Sequence, residues 1–201
     1  MCFGRLAEEF FPFAYYLRNA SRLKLRYKLP ELLQDEAFQG YDRLSVEELD
    51  RRLAEEHERA VALDDKTSKG TLFLSVGFSI LGLGLTVISS SSWIPLKTES
   101  SPVESTWLIL LFGASVIYFL TASWMALGAL RTYNKFGFGT KYTLALHDSE
   151  PTALRAEHLA RQETVNNLRH CRNEAVFQAV RNGFILLFVG ILTILVAVYF
   201  G

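Results

Sequence analysis

Cysteine is scarce in this chain, with Cys2 and Cys171 the only two in 201 residues. Two thiols are too few for a disulfide framework or a thiolate metal site. A surplus of one charge is missing too. Lys and Arg number 21 against 21 Asp and Glu, so no global field gathers nucleic acid or an acidic substrate. Catalytic signatures are equally thin, with no HExxH, no CxxC and no serine nucleophile elbow. Of the histidines, His57 sits among glutamates in EEHER, where its helix spacing brings at most two carboxylates to its face. His158 and His170 are 12 residues apart, more than three helical turns, and cannot share an ion on one unbroken helix. The composition therefore points away from an enzyme, and the expectation is no catalytic residue, no metal, no cofactor and no nucleic-acid partner.

Half of the residues are apolar, and they are concentrated in three runs that lack any charged residue. Thr71 to Ile94 and Trp107 to Leu130 each contain 24 residues without Asp, Glu, Lys, Arg or His. As helix each is about 36 Å long, enough to cross a hydrocarbon core of about 30 Å with some tilt. Gly183 to Phe200 is also uncharged. Val176, Phe177, Ala179 and Val180 can lengthen it if Arg181 snorkels. The expected fold class is all-α: a three-span helical integral membrane protein with cytoplasmic helical extensions.

Lys and Arg number 12 before Thr71, one between the first two runs, and eight between the second and third. The positive-inside rule then places the N-terminus in the cytoplasm and the C-terminus outside. The first 70 residues lack the apolar core and cleavage site of a signal peptide, so the N-terminus is expected to be kept. The expected layout is a cytoplasmic or membrane-surface segment over 1–44, an amphipathic helix over 45–70, a first span over 71–94, and an outer loop over 95–106. A second span over 107–130, a cytoplasmic loop and helix over 131–181 and a third span over 182–200 complete it. Trp93 and Trp107 are expected interfacial anchors, and a bacterial inner membrane is the default location.

Ser45 and Glu48 have capping-box spacing, and Val46, Leu49, Leu53, His57 and Ala60 then recur at helical intervals. From Pro151, Leu154, His158, Arg161, Val165, Leu168, Cys171, Ala175 and Ala179 trace a second, narrower stripe. The spans that these helices feed run in the same direction, so the helices can pack side by side as a stalk. Its partly polar seam suits partners from other copies, and the cytoplasmic helices offer surface to a protein partner.

In the first span, Ser75, Ser79, Gly82, Thr86 and Ser89 fall at steps of four, three, four and three. This small, polar stripe suits close helix packing or, in a ring of subunits, the lining of a water-filled path. Near the N-terminus, aromatic residues around Pro12 precede Arg18, Arg22, Lys24, Arg26 and Lys28, a basic run with no acid in it. That pattern suits an anionic membrane surface; a packed domain with a solvated basic face and an anion-binding site are the other readings. Residues 131–143 (RTYNKFGFGTKYT) have the same interfacial character. The expected partners are the lipid bilayer and further copies of the chain.

The stretch ALDDKTSKGTLFLSVGFSILGLGLTV carries an acidic helix through Asp65-Lys66 directly into a charge-free run. A second span and a later helix containing Asn166, Asn167, Arg169, Arg172 and Asn173 follow. Over Ala60 to Gly201 this layout resembles small bacterial multi-span membrane proteins of the Pycsar-type and SLATT-type transmembrane effectors. The resemblance implies membrane disruption on activation in a nucleotide-signalled defence system, and it brings no residue-level ligand site. Two functions follow as expectations: a self-associating anchor or scaffold, and a ligand-triggered pore or membrane-disrupting effector.

Overall fold

The computed structural model describes residues 9–28, 38, 40–90, 102–129, 135–148 and 151–200. Among them the secondary structure is helical: α1 (Pro12–Lys28), α2 (Val46–Ser90), α3 (Pro102–Ala129), α4 (Thr140–Asp148) and α5 (Pro151–Phe200), with a 3₁₀ turn at Tyr41–Arg43. Proline opens α1, α3 and α5. Its fixed φ suits the first helical position, where the missing N–H has no intrahelical partner to lose. The start of α2 is the expected capping box. The Glu48 N–H donates to Ser45 Oγ (3.2 Å) and the Ser45 N–H donates to Glu48 Oε2 (3.1 Å). The Ser45 amide holds the Glu48 carboxyl below its ordinary range.

Two helices, not three, are long and apolar enough among the described residues to cross a membrane: α3 over Thr106–Gly128 and α5 within Thr152–Val196. The expected first span, 71–94, is helical as far as Ser90, and residues 91–94 lie outside the described residues. Helix α3 begins at Pro102, inside the expected outer loop. Neither 70/71 nor 181/182 is a break, because α2 and α5 run straight through them.

The chain divides into two compact units. The polar unit comprises Ala14–Thr67 and Ala129–Asn173. Its axis is the first half of α5, which buries Ala156, Leu159, Ala160, Gln162, Thr164, Val165, Asn166, Leu168, Arg169, Arg172 and Asn173. These positions surround the helix, so the expected narrow stripe is replaced by a central element covered on nearly every side. Leu49 and Leu53 of α2 pack with Ala156 and Leu159, and Tyr41 and Leu44 close over them. Phe38 covers Ala160. Helix α1 adds buried Tyr16 and Ala20, so part of the expected surface segment belongs to this core.

The apolar unit comprises Met1–Phe13, Ser68–Gly128 and Glu174–Gly201. Phe119 of α3 is fully buried at its centre, with the ring of Phe184 edge-on at 5.2 Å and that of Phe78 at 5.8 Å. A Cβ on Gly77 would stand 2.8 Å from the Phe119 ring, and one on Gly183 3.0 Å from it. Phe112 lies in the same way over Gly190. Ala122 and Ala126 are buried, while Ile109, Leu110, Ile117, Leu120, Trp124 and Leu127 of α3 face outward. An apolar exterior over a core of small residues and aromatic rings is the packing that a lipid-facing helix group requires.

Candidate functional site

Helix α2 has two faces in the apolar unit. Gly70, Leu74, Gly77 and Leu81, at steps of four, three and four, are buried. Gly70 lies against Val176 and Gly77 against Phe119. The expected stripe lies elsewhere on the helix. Ser75, Ser79, Gly82 and Thr86 are all exposed, and a Cβ on Gly82 would meet nothing within 4 Å. The Ser75, Ser79 and Thr86 hydroxyls donate to the carbonyls of Thr71, Ser75 and Gly82 at 3.2, 2.9 and 2.8 Å. Hydroxyls satisfied by their own helix leave a smooth, small surface that can contact hydrocarbon or another helix without an unmet polar group. The Ser89 side chain lies outside the described residues.

Sequence reasoning missed the intrachain face because it has the same period as the stripe and is marked only by alternating Gly and Leu. It also missed Ser115, whose buried hydroxyl donates to the Gly183 carbonyl at 2.8 Å, joining α3 to α5 where a side chain on residue 183 would not fit.

In the polar unit α2 and α5 run parallel, since the contacts between them advance in the same direction along both helices. The Asn166 amide donates to the Glu56 carbonyl and to Glu56 Oε2, both at 2.7 Å. One heptad further on, the Asn173 amide donates to the Leu63 carbonyl at 2.8 Å. Gln162 Nε2 donates to Asn166 Oδ1 (3.2 Å), and Arg59 Nη2 donates to Asn167 Oδ1 (3.0 Å). Arg155 pairs with Asp50 (2.7 Å) and Arg169 with Asp64 (3.5 Å). The buried amides of this seam are bonded within the chain. The heptad spacing of Asn166 and Asn173 was the available signal.

Two of the four histidines, His57 and His158, converge on backbone. The Gly137 N–H donates to His158 Nδ1 (2.7 Å), the Phe136 N–H donates to Gln162 Oε1 (3.0 Å), and His57 Nε2 lies 2.8 Å from the Phe136 carbonyl. Gly137 has φ +70°, and Leu53 fills the space where its Cβ would stand. Burial pushes the His158 imidazole below its ordinary pKa, and the Tyr142 ring lies 4.7 Å from it. His170 is exposed. Among the described residues no three His, Cys, Asp or Glu side chains come together as metal ligands.

Arg18 and Arg22 of the basic run are exposed on α1, beside exposed Leu17; the side chains of Lys24, Arg26 and Lys28 lie outside the described residues. On the buried side of α1, Arg172 Nη2 donates to the Tyr16 hydroxyl at 2.8 Å, with the guanidinium 5.4 Å from the ring centroid. In the apolar unit the Phe10 carbonyl accepts from the Tyr118 hydroxyl and the Glu9 carbonyl from the Asn182 amide, and Phe10, Phe11 and Phe13 point outward. No protein-family model, curated protein or solved structure matches the chain.

Proposed function

We propose that this chain is a non-enzymatic, three-span membrane protein that self-associates through the outer face of α2 and anchors an assembly at the cytoplasmic face of a bacterial inner membrane. The observation that carries this reading is the contrast between the two faces of α2. The Gly70–Leu81 face is filled by the chain's own side chains, and the Ser75–Thr86 face is small, exposed and internally hydrogen-bonded. The charge-free run continuing to Ile94 supports α2 as the third crossing, and the placement of Lys and Arg supports a cytoplasmic N-terminus. Exposed Phe10, Phe11, Phe13 and Leu17 next to Arg18 and Arg22 support a membrane-surface role for the N-terminal segment.

Native mass spectra of the protein released from nanodiscs test the interface. The parent chain is expected as an oligomer, and Ser79→Leu and Gly82→Leu are expected to shift it toward monomer, because a bulky side chain blocks close helix approach. Gly82 has open space around it, so its substitution leaves the chain's own packing intact. Unchanged stoichiometry in both variants refutes the interface. A closed ring of at least four copies that also permeabilises liposomes assigns the same stripe to a pore, as the effector resemblance implies.

A further inference from the structure

Three features of residues 135–144 are unused by this reading. The first is a held backbone. Three side chains, His57, His158 and Gln162, bind the peptide groups of Phe136 and Gly137, and Leu53 packs beneath Gly137. The second is what that backbone presents. Phe138 is 74% exposed, and Leu144 follows it, also exposed. Lys141 and Leu144, three apart on α4, share one exposed face, and Lys135 is exposed just before the turn. The third is charge. From Arg131 to His147 the sequence has three cations, Arg131, Lys135 and Lys141, and no Asp or Glu.

A fixed turn that holds a phenyl ring in solvent, flanked by lysines and without acids, complements an apolar layer beneath anionic headgroups. The tether agrees. Lys135 is six residues beyond the end of α3 at Ala129, so at most about 22 Å of extended chain separates it from the inner end of that span. We propose that the 135–144 segment is a second membrane contact of the chain, inserting Phe138 and Leu144 into the cytoplasmic headgroup layer with Lys135 and Lys141 on the phosphates of anionic lipid. The proposal rests on the membrane reading above and adds a lipid-binding surface to it.

The test uses the full chain, with Cys2 and Cys171 replaced by serine, in nanodiscs of phosphatidylcholine with or without phosphatidylglycerol. A nitroxide is placed at Phe138→Cys, at Leu144→Cys, or at Ile109→Cys on the outward face of α3. In discs containing phosphatidylglycerol, oxygen is expected to collide several-fold more often than a water-soluble nickel chelate with the labels at 138 and 144, as at 109. Adding Lys135→Glu and Lys141→Glu is expected to abolish that preference at 138 and 144 and leave it at 109. Labels at 138 and 144 that favour the chelate while the label at 109 favours oxygen overturn the lipid contact and spare the membrane reading. A label at 109 that favours the chelate overturns both. Mutual broadening between labels at 138 assigns the surface to a second copy and overturns the lipid contact.

Discussion

In the apolar unit a phenyl ring seated against glycines holds the helices together, whereas in the polar unit side-chain amides bound to a neighbouring backbone do. Phe119 occupies space left open by Gly77 and Gly183, and on the membrane reading its contribution is shape, because a lipid exterior is as apolar as the core and gives little drive for burial. Asn166 and Asn173 bind the Glu56 and Leu63 carbonyls one heptad apart. Their contribution is register, since a slip along α2 would leave buried amides unpaired. The same two helices, α2 and α5, take part in both units, so the difference lies in side-chain chemistry and not in backbone form.

The comparison is broken most severely on its apolar side. Gly77→Leu drives a branched side chain into the Phe119 ring and is expected to cost up to about 3 kcal/mol by overpacking, read as a lowered unfolding temperature in nanodiscs. Gly82→Leu, on the same helix with nothing near it, is expected to leave that temperature unchanged. Equal losses in both would mean that bulk anywhere on α2 is harmful and that the two faces are not distinct.

A smaller effect is expected on the polar side. Asn166→Leu removes the donor to Glu56 and the acceptor of Gln162, which leaves buried polar groups without that partner at a cost of about 2 kcal/mol. Loss of cooperativity in thermal unfolding followed by circular dichroism checks it. If Asn166→Leu is neutral, the amide ladder does not fix the register.

The smallest effect is a pH dependence that sharpens the contrast, since it belongs to the polar unit alone. His158 accepts the Gly137 N–H on Nδ1, which requires that nitrogen to be unprotonated, and burial lowers its pKa below the ordinary imidazole range. The unfolded chain therefore binds the proton more readily, so stability is full above about pH 6.5 and falls as pH drops toward the folded pKa. His158→Gln offers an acceptor that does not titrate and is expected to flatten this decline, as measured by melting temperatures from about pH 7.5 to about pH 5.5. A slope unchanged by the substitution would assign the titration elsewhere.

Much of the local structure was legible. The Ser45–Glu48 box starts α2 as its spacing predicts, Leu49, Leu53 and Ala60 of the expected stripe are buried while Val46 is exposed and His57 half-buried, and Pro151 opens α5. The candidate stripe was assigned from its period, without knowledge of which face of α2 the chain itself occupies. The period of Ser75, Ser79, Gly82 and Thr86 is the period of Gly70, Leu74, Gly77 and Leu81, and periodicity identifies faces without saying what they touch. The burial of Asn166 and Asn173 was signalled by their heptad spacing alone. A polar residue in a sequence reads as solvent-facing unless a specific buried partner is known, and those partners lie about 110 residues away.

By itself the sequence determined that the described chain is helical, where α2 and α5 start, and that charge-free runs long enough for a bilayer are present. These follow from local capping, from side-chain period and from the cost of charge in hydrocarbon, each of which acts within a few turns. The tertiary structure decided which glycines receive Phe119, that the polar seam is consumed within the chain, and that His57, His158 and Gln162 meet on one turn. These depend on contacts between residues far apart in sequence, where complementary shape and paired hydrogen bonds select one arrangement among many that local pattern allows.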